Sequence, residues 1–353
     1  MCARPTRDPH ALFAAAVAGD RVALARVLTL VERGGAASRT VAALAYRGGG
    51  DAYAIGITGA PGAGKSTLTD RLIGAARRRG LGQGGPAGGS GGPAGGSGGP
   101  AGGSGGPAGE GHDVAVLAID PSSPFTGGAI LGDRVRMQGH ALDEHVFIRS
   151  MATRGHLGGL AVAVPDAVRV LSAAGLPVVL VETVGVGQVE VEVAGAADTT
   201  VVVVNPGWGD AVQANKAGLL EIADCFVINK ADRPGVKETR RDLELMLDLT
   251  APGDWRPPVV ETVAASGEGT DELWDDVERH RAHLVATGQL EARRRQRAEH
   301  ELEQVLLARL RERVGELRAG ASFADLADEL VAGSVDPYEA ADRLLDAVAP
   351  AGD

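Results

Sequence analysis

Eight consecutive residues, Gly59-Ala60-Pro61-Gly62-Ala63-Gly64-Lys65-Ser66, carry the spacing G-x-x-x-x-G-K-[ST]. That spacing predicts a loop that wraps phosphates. Glycines let backbone N–H groups turn inward around an anion, and a following helix adds partial positive charge at its N-terminus. Lys65 can reach the terminal phosphates as a point charge, and Ser66 can offer its hydroxyl to Mg²⁺. Thr67, the next residue, is a further candidate for nucleotide binding. The competing reading is a glycine-rich turn that merely precedes a helix. The flanks favour the first: Tyr53 to Ile57 reads as a short buried strand and Ser66 to Arg79 as a helix.

Asn229-Lys230-Ala231-Asp232 follows a second strand and fits N-K-x-D. An aspartate there can accept two hydrogen bonds, from guanine N1–H and its exocyclic amine. Adenine has an acceptor at N1 and no amine beside it, which would leave the carboxylate unpaired. The run Val178 to Gly185 is an apolar strand ending in Glu182, with Gly185 three residues on. This is where a Mg²⁺-linked carboxylate and a glycine that senses the terminal phosphate are expected; otherwise Glu182 is a plain strand-end acid. Gln188 could orient an attacking water. Asp120 ends another strand, and Asp133 follows in a glycine-containing segment. Both are candidates for Mg²⁺ or its waters, or else solvated loop acids.

These residues need a frame. Continuous apolar runs at 114–119, 146–150, 178–182, 199–204, 225–229 and 259–263 alternate with helical stretches at 157–174, 211–222, 237–249 and 271–287. The pattern predicts an α/β fold with a mostly parallel, doubly wound sheet covered on both faces. Residues 1–45 form an N-terminal helical extension; within it 11–33 break at Gly19-Asp20, with Asp20 as an N-cap. The nucleotide domain covers 46–288. Residues 289–353 are all-helical. There Leu302, Val305, Leu306, Leu310, Val314 and Leu317 lie along one stripe, suited to packing on the same chain or to a dimer arm. Ser322 with Asp325 resembles a capping box, and Asp336-Pro337 supplies an N-cap and a proline at the first helical position. Residues 82–111 interrupt the nucleotide domain with tandem copies of GGPAGGS. Such a segment cannot form a core and reads as a flexible linker whose unconstrained ends would average roughly 30 Å apart.

Composition sets outer limits. A net charge of −11 argues against a general role on nucleic acid or membrane surfaces. Two cysteines, Cys2 and Cys225, exclude a disulfide framework. Met1 to His10 lacks the core of a signal peptide, and no apolar run is long enough to span a bilayer. A cytoplasmic protein is expected.

Several blocks together resemble the MeaB/ArgK-type GTPases associated with methylmalonyl-CoA mutase. They are GAPGAGKST, AIDPSSPFTGGAILGDRVRM, SMATRGHLGGLA, ETVGVGQVE, NPGWGDAVQANKAGLLEIAD, NKAD and DPYEAADRLL. The resemblance covers almost the whole chain apart from the repeat. It implies a P-loop NTPase fold and a homodimeric, Mg²⁺-dependent GTPase. Its partner would be an adenosylcobalamin-dependent acyl-CoA mutase, whose cofactor loading and protection it gates by cycling between GTP and GDP. It further implies switch segments around Asp120–Asp133 and Glu182–Gln188, and a third around 209–218 with Gln213 and Lys216. The C-terminal helices would carry dimerisation. Base contacts after the last strand would fall on Ala265 and Ser266, although the family's usual Ser-Ala pair stands here as Ala264-Ala265-Ser266-Gly267. Two other readings stay open: a metallochaperone GTPase, which would need a Cys/His ligand cluster that the sequence lacks, and an ArgK-like kinase or ATPase linked to transport.

Overall fold

The computed structural model describes residues 8–81, 112–121, 138–140, 142–153, 159–183, 195–207, 221–249 and 253–346. Among them, seven strands form one parallel sheet: β1 (Tyr53–Gly59), β2 (Val114–Pro121), β3 (Val146–Thr153), β4 (Val178–Thr183), β5 (Thr199–Val204), β6 (Cys225–Asn229) and β7 (Val259–Thr262). Their spatial order is β3-β2-β4-β1-β5-β6-β7. β1 therefore lies in the middle, with β4 on one side and β5 on the other. Such an order opens a crevice at the carboxyl ends of the central strands, where open α/β sheets bind ligands.

The sheet is buried on both faces, which explains its unbroken Val/Ile/Leu runs. Ala115, Leu117 and Ile119 of β2 and Val179 and Val181 of β4 pack into one core. That core is shared with helices α1 (Pro9–Val17), α2 (Arg21–Arg33), α3 (Gly35–Gly48) and α5 (Gly159–Ala173). Val114, Val116, Val178 and Leu180 point the opposite way. They meet α4 (Lys65–Arg79) and α7 (Thr270–Ala286), where Trp274 is fully enclosed. Helix α6 (Val236–Leu249) covers a third cluster on β5 and β6.

Asp20 caps α2, accepting hydrogen bonds from the amides of Val22 at 2.8 Å and Ala23 at 3.0 Å. The break expected at Gly19-Asp20 is thus present. Helix α3 was not expected as a separate element. Its buried positions Ser38, Val41 and Ala45 do have helical spacing, but two of the three side chains are too small to give a hydrophobic signal.

Of the described residues, those between 8 and 153 and between 159 and 297 belong to one compact unit, and those between 298 and 346 to a second. Helix α8 (Gln289–Arg318) starts in the first unit, where Arg294 and Arg297 hold the buried Asp198 and Arg293 holds Asp224. Burial alone would push both carboxyls up. At Asp198 the facing Arg297 and Arg294 outweigh burial; at Asp224 His280 and Arg293 do so, and each acid lies below its ordinary range. The second unit contains α9 (Ala321–Val331) and α10 (Pro337–Asp346). Asp336 caps α10 through the amides of Tyr338 and Glu339, with Pro337 at the first helical position. The expected capping box at Ser322 is not formed. The helix begins two residues earlier, at Ala321, with Gly320 at its cap and no side-chain cap bond.

The repeat, 82–111, lies outside the described residues, but its two flanks are stitched together. His112 N–H donates to Arg77 O at 3.1 Å, and Arg77 Nη1 donates back to His112 O at 2.8 Å. The His112 ring sits so close to Gly80 that a Cβ there would come within 2.7 Å. The fold, not the repeat, fixes how far apart its ends lie. Replacing 84–111 with a loop about four times shorter should therefore raise stability by about 1 kcal/mol and leave GTP turnover unchanged. Thermal unfolding of the excised variant checks this; a loss of several degrees in Tm would mean that the repeat contributes contacts.

Candidate nucleotide site

Chain geometry at the end of β1 requires glycine. Gly59 has φ +126°, and a Cβ there would lie 2.0 Å from Val203 O on β5. Gly64 has φ +92°, and its Cβ would lie 2.4 Å from Asn229 Nδ2. Any side chain at either position would push the loop off its neighbours. Helix α4 starts directly at Lys65 with no side-chain cap, and a helix N-terminus of this kind suits an anion.

Lys65 is buried, and its ammonium donates to the carbonyls of Gly59 at 2.7 Å and Ala60 at 3.0 Å. It is thus held over the loop that Gly59 to Ser66 forms. Ser66 Oγ donates to Glu182 Oε1 at 2.6 Å. The strand register explains this contact: Glu182 pairs with Ile57 on one side and Ala118 on the other, and its side chain shares the face of Leu180, where α4 packs. A hydroxyl and a carboxylate, both buried, meet beside the phosphate loop as hard oxygen donors. Asp120 lies at the carboxyl end of β2, one residue past the position that pairs with Thr183; its side chain is outside the description.

The N-K-x-D segment arrives at the same edge from β6. Asn229 is buried and works as a brace. Its Nδ2 donates to Ala63 O at 2.7 Å, while Oδ1 accepts from Thr262 Oγ1 at 3.2 Å and Ala264 N–H at 3.1 Å. One side chain ties the phosphate loop, β6 and the loop after β7 together. Lys230 Nζ donates to Gly62 O at 2.6 Å. Lys230 is also the one non-glycine residue among those described with a left-handed backbone, φ +61°, a conformation that costs energy and concentrates at functional sites. Asp232 is exposed, and no hydrogen bond or ion pair among the described residues uses its carboxylate. Ala265 and Ser266 sit on a tight turn after β7, closed by Ser266 N–H and Gly267 N–H donating to Val263 O.

Lys65, Ser66, Glu182, Asn229, Lys230, Asp232 and Ala265 thus come from four separated stretches of sequence to one edge of the sheet. Gly185, Gln188, Asp133, Gln213 and Lys216 lie outside the described residues, as does most of the helix expected over 211–222. Asn229 Oδ1 and the backing of the loop after β7 by Arg71 were not foreseen, because contacts to backbone carbonyls and amides leave no motif.

A central parallel sheet with this loop after its first strand defines a P-loop nucleotide-binding fold, and comparison with known proteins makes it a GTPase, a hydrolase. The family model described as "Methylmalonyl Co-A mutase-associated GTPase MeaB" matches residues 24–84 and 107–319. The chain belongs to that family. A protein of Pyrococcus abyssi named as a GTPase is 47% identical over 93% of each chain. The GTPase ArgK of Escherichia coli is 36% identical over 79% of this chain and 78% of its own. Mouse "Methylmalonic aciduria type A homolog, mitochondrial" is 32% identical over 80% of this chain and 65% of its own. The crystal structure of an LAO/AO transport system kinase superposes with a TM-score of 0.65 at 24% identity, spanning 99% of this chain and all of that one, which supports the fold. Among the described residues, no helix is long and apolar enough to cross a membrane.

Proposed function

We propose that this GTPase is a nucleotide-driven chaperone that gates adenosylcobalamin loading and protection of a cobalamin-dependent acyl-CoA mutase of the methylmalonyl-CoA type. The family match carries the mutase association, and the junction of Lys65, Ser66–Glu182 and Asp232 at one sheet edge carries the chemistry. Guanine is read by Asp232, with Ala265 and Ser266 on the far side of the base. The amides from Gly62 to Ser66 and the Lys65 ammonium hold the phosphates. Lys65 exchanges its two loop carbonyls for phosphate oxygens, and this places positive charge where negative charge builds as water displaces GDP.

Ser66 and Glu182 suit Mg²⁺, since both offer buried oxygen and already touch; Asp120 and Asp133 would be the further oxygen donors, to the ion or to its waters. When bound, Mg²⁺ neutralises charge on the β- and γ-phosphate oxygens. Glu182 keeps the Ser66 hydroxyl aimed at the phosphate edge, Gly185 senses the terminal phosphate, and Gln188 orients the water. The other cation at this edge among the described residues, Lys230, is engaged with Gly62 O, so slow turnover awaiting a partner fits the site. Gln213 and Lys216 would move with nucleotide state.

Residues 289–353 are proposed as the homodimerisation region. On α8, Leu302, Leu306, Leu310 and Val314 are exposed to 70%, 55%, 53% and 57% in the single chain, an apolar stripe of the kind that associates. The protein would work in the cytoplasm. A loading assay tests the proposal: with apo-mutase and adenosylcobalamin, transfer should depend on whether GTP or GDP is present. Transfer indifferent to the nucleotide would remove the gate.

A further inference from the structure

The loop that follows β7 is held from behind by a side chain outside every motif. Arg71 lies on α4, six residues beyond Lys65, and its Nε donates to Ala264 O at 2.9 Å while Nη2 donates to Ala265 O at 2.7 Å. Its stem also lies under the turn: a Cβ on Gly267 would come 3.9 Å from Arg71 Cδ. Among the described residues no carboxylate pairs with Arg71, so its charge is directed at these two carbonyls.

The consequence follows from peptide geometry. Ala264 C=O and Ala265 N–H belong to one planar trans unit and point in opposite directions. The neighbouring amides are already taken: Ala264 N–H goes to Asn229 Oδ1, and Ser266 and Gly267 N–H go to Val263 O. Ala265 N–H alone in this turn has no acceptor among the described residues. By pinning Ala264 O, Arg71 fixes the direction in which that free donor points, away from α4. A donor there matches the guanine C6 carbonyl and opposes the amine that adenine carries at the same place.

We infer that Arg71 is a positioning residue for base selection: it locks the Ala264–Ala265 peptide so that Ala265 N–H reads guanine O6, and it couples that reading to the phosphate-binding helix. This rests on the guanine site proposed above. The test measures binding of GDP, 6-thio-GDP, ADP and inorganic pyrophosphate to the full chain and to R71M and R71K. R71M keeps the stem and loses both donors; it should weaken GDP about tenfold, leave pyrophosphate unchanged, and shrink the preference for GDP over 6-thio-GDP, whose sulfur is a poor acceptor. R71K, with one cationic donor group, should fall between. If wild-type protein does not prefer GDP to ADP, the guanine site itself fails. If it does, but R71M binds GDP as wild type or loses GDP and pyrophosphate equally, the role given to Arg71 is overturned. Should R71M not fold, R71K alone decides, by whether GDP weakens while pyrophosphate does not.

Discussion

Replacing Lys65 with alanine should lower GTP hydrolysis at least about 100-fold, the scale seen when one preorganised charge-stabilising group is removed. Its ammonium is buried against the phosphate loop, held by the carbonyls of Gly59 and Ala60, whereas the Lys230 ammonium meets the loop at Gly62 O from an exposed position. Those carbonyls belong to the loop that wraps the phosphates, so the lysine is aimed before nucleotide arrives. Lys65→Arg should not rescue turnover, because a planar guanidinium does not fit a position shaped for a compact ammonium. The fold should survive either change. The strands around the loop are buried in clusters that Lys65 does not join, and circular dichroism with thermal unfolding checks this. Turnover undiminished in a folded Lys65→Ala protein would place hydrolysis elsewhere.

Asp232→Asn should exchange base preference with a comparably large effect. The aspartate accepts from two guanine donors; an asparagine amide presents a donor to one of them and leaves it unsatisfied. Xanthine has a carbonyl where guanine has its amine, and so restores the match. Sites that reject a substrate by stranding a buried polar group discriminate by up to about 10⁴, so GTP turnover should collapse and XTP turnover rise at low concentrations. Asp232 is exposed and braces nothing among the described residues, so stability should hardly move, unlike Asn229, whose three hydrogen bonds tie loops together. Competition between GTP and XTP in one reaction measures the switch; an unaltered profile would mean that Asp232 does not read the base.

The two motifs were legible because each is a fixed spacing at the end of one strand, and the fold brings both to one sheet edge. All seven strands were legible too, since a sheet covered on both faces leaves continuous Val/Ile/Leu runs such as Val178 to Val181 and Val201 to Val204. The contact between Ser66 and Glu182 could be anticipated from the positions of a hydroxyl and a strand-end acid, although sequence alone gave no means of bringing them together. What stayed hidden works through the backbone. Arg71 holds two carbonyls 193 and 194 residues away in sequence, and any residue type can supply a carbonyl. Helix α3 hid behind small side chains. At Ser322 the local pattern suggested a cap, but the chain turns at Gly320, before the serine can act. The stitched flanks of the repeat also left no sign, because Arg77 and Gly80 read as an ordinary helix end.

The phosphate loop is proposed as a switch read by a partner, and GTP turnover with and without that partner tests this most directly. Purified protein should hydrolyse GTP slowly alone and several-fold faster with an adenosylcobalamin-dependent methylmalonyl-CoA mutase, and Lys65→Ala should abolish both rates. Equal rates with and without the mutase, in a preparation where the two proteins form a complex, would contradict it.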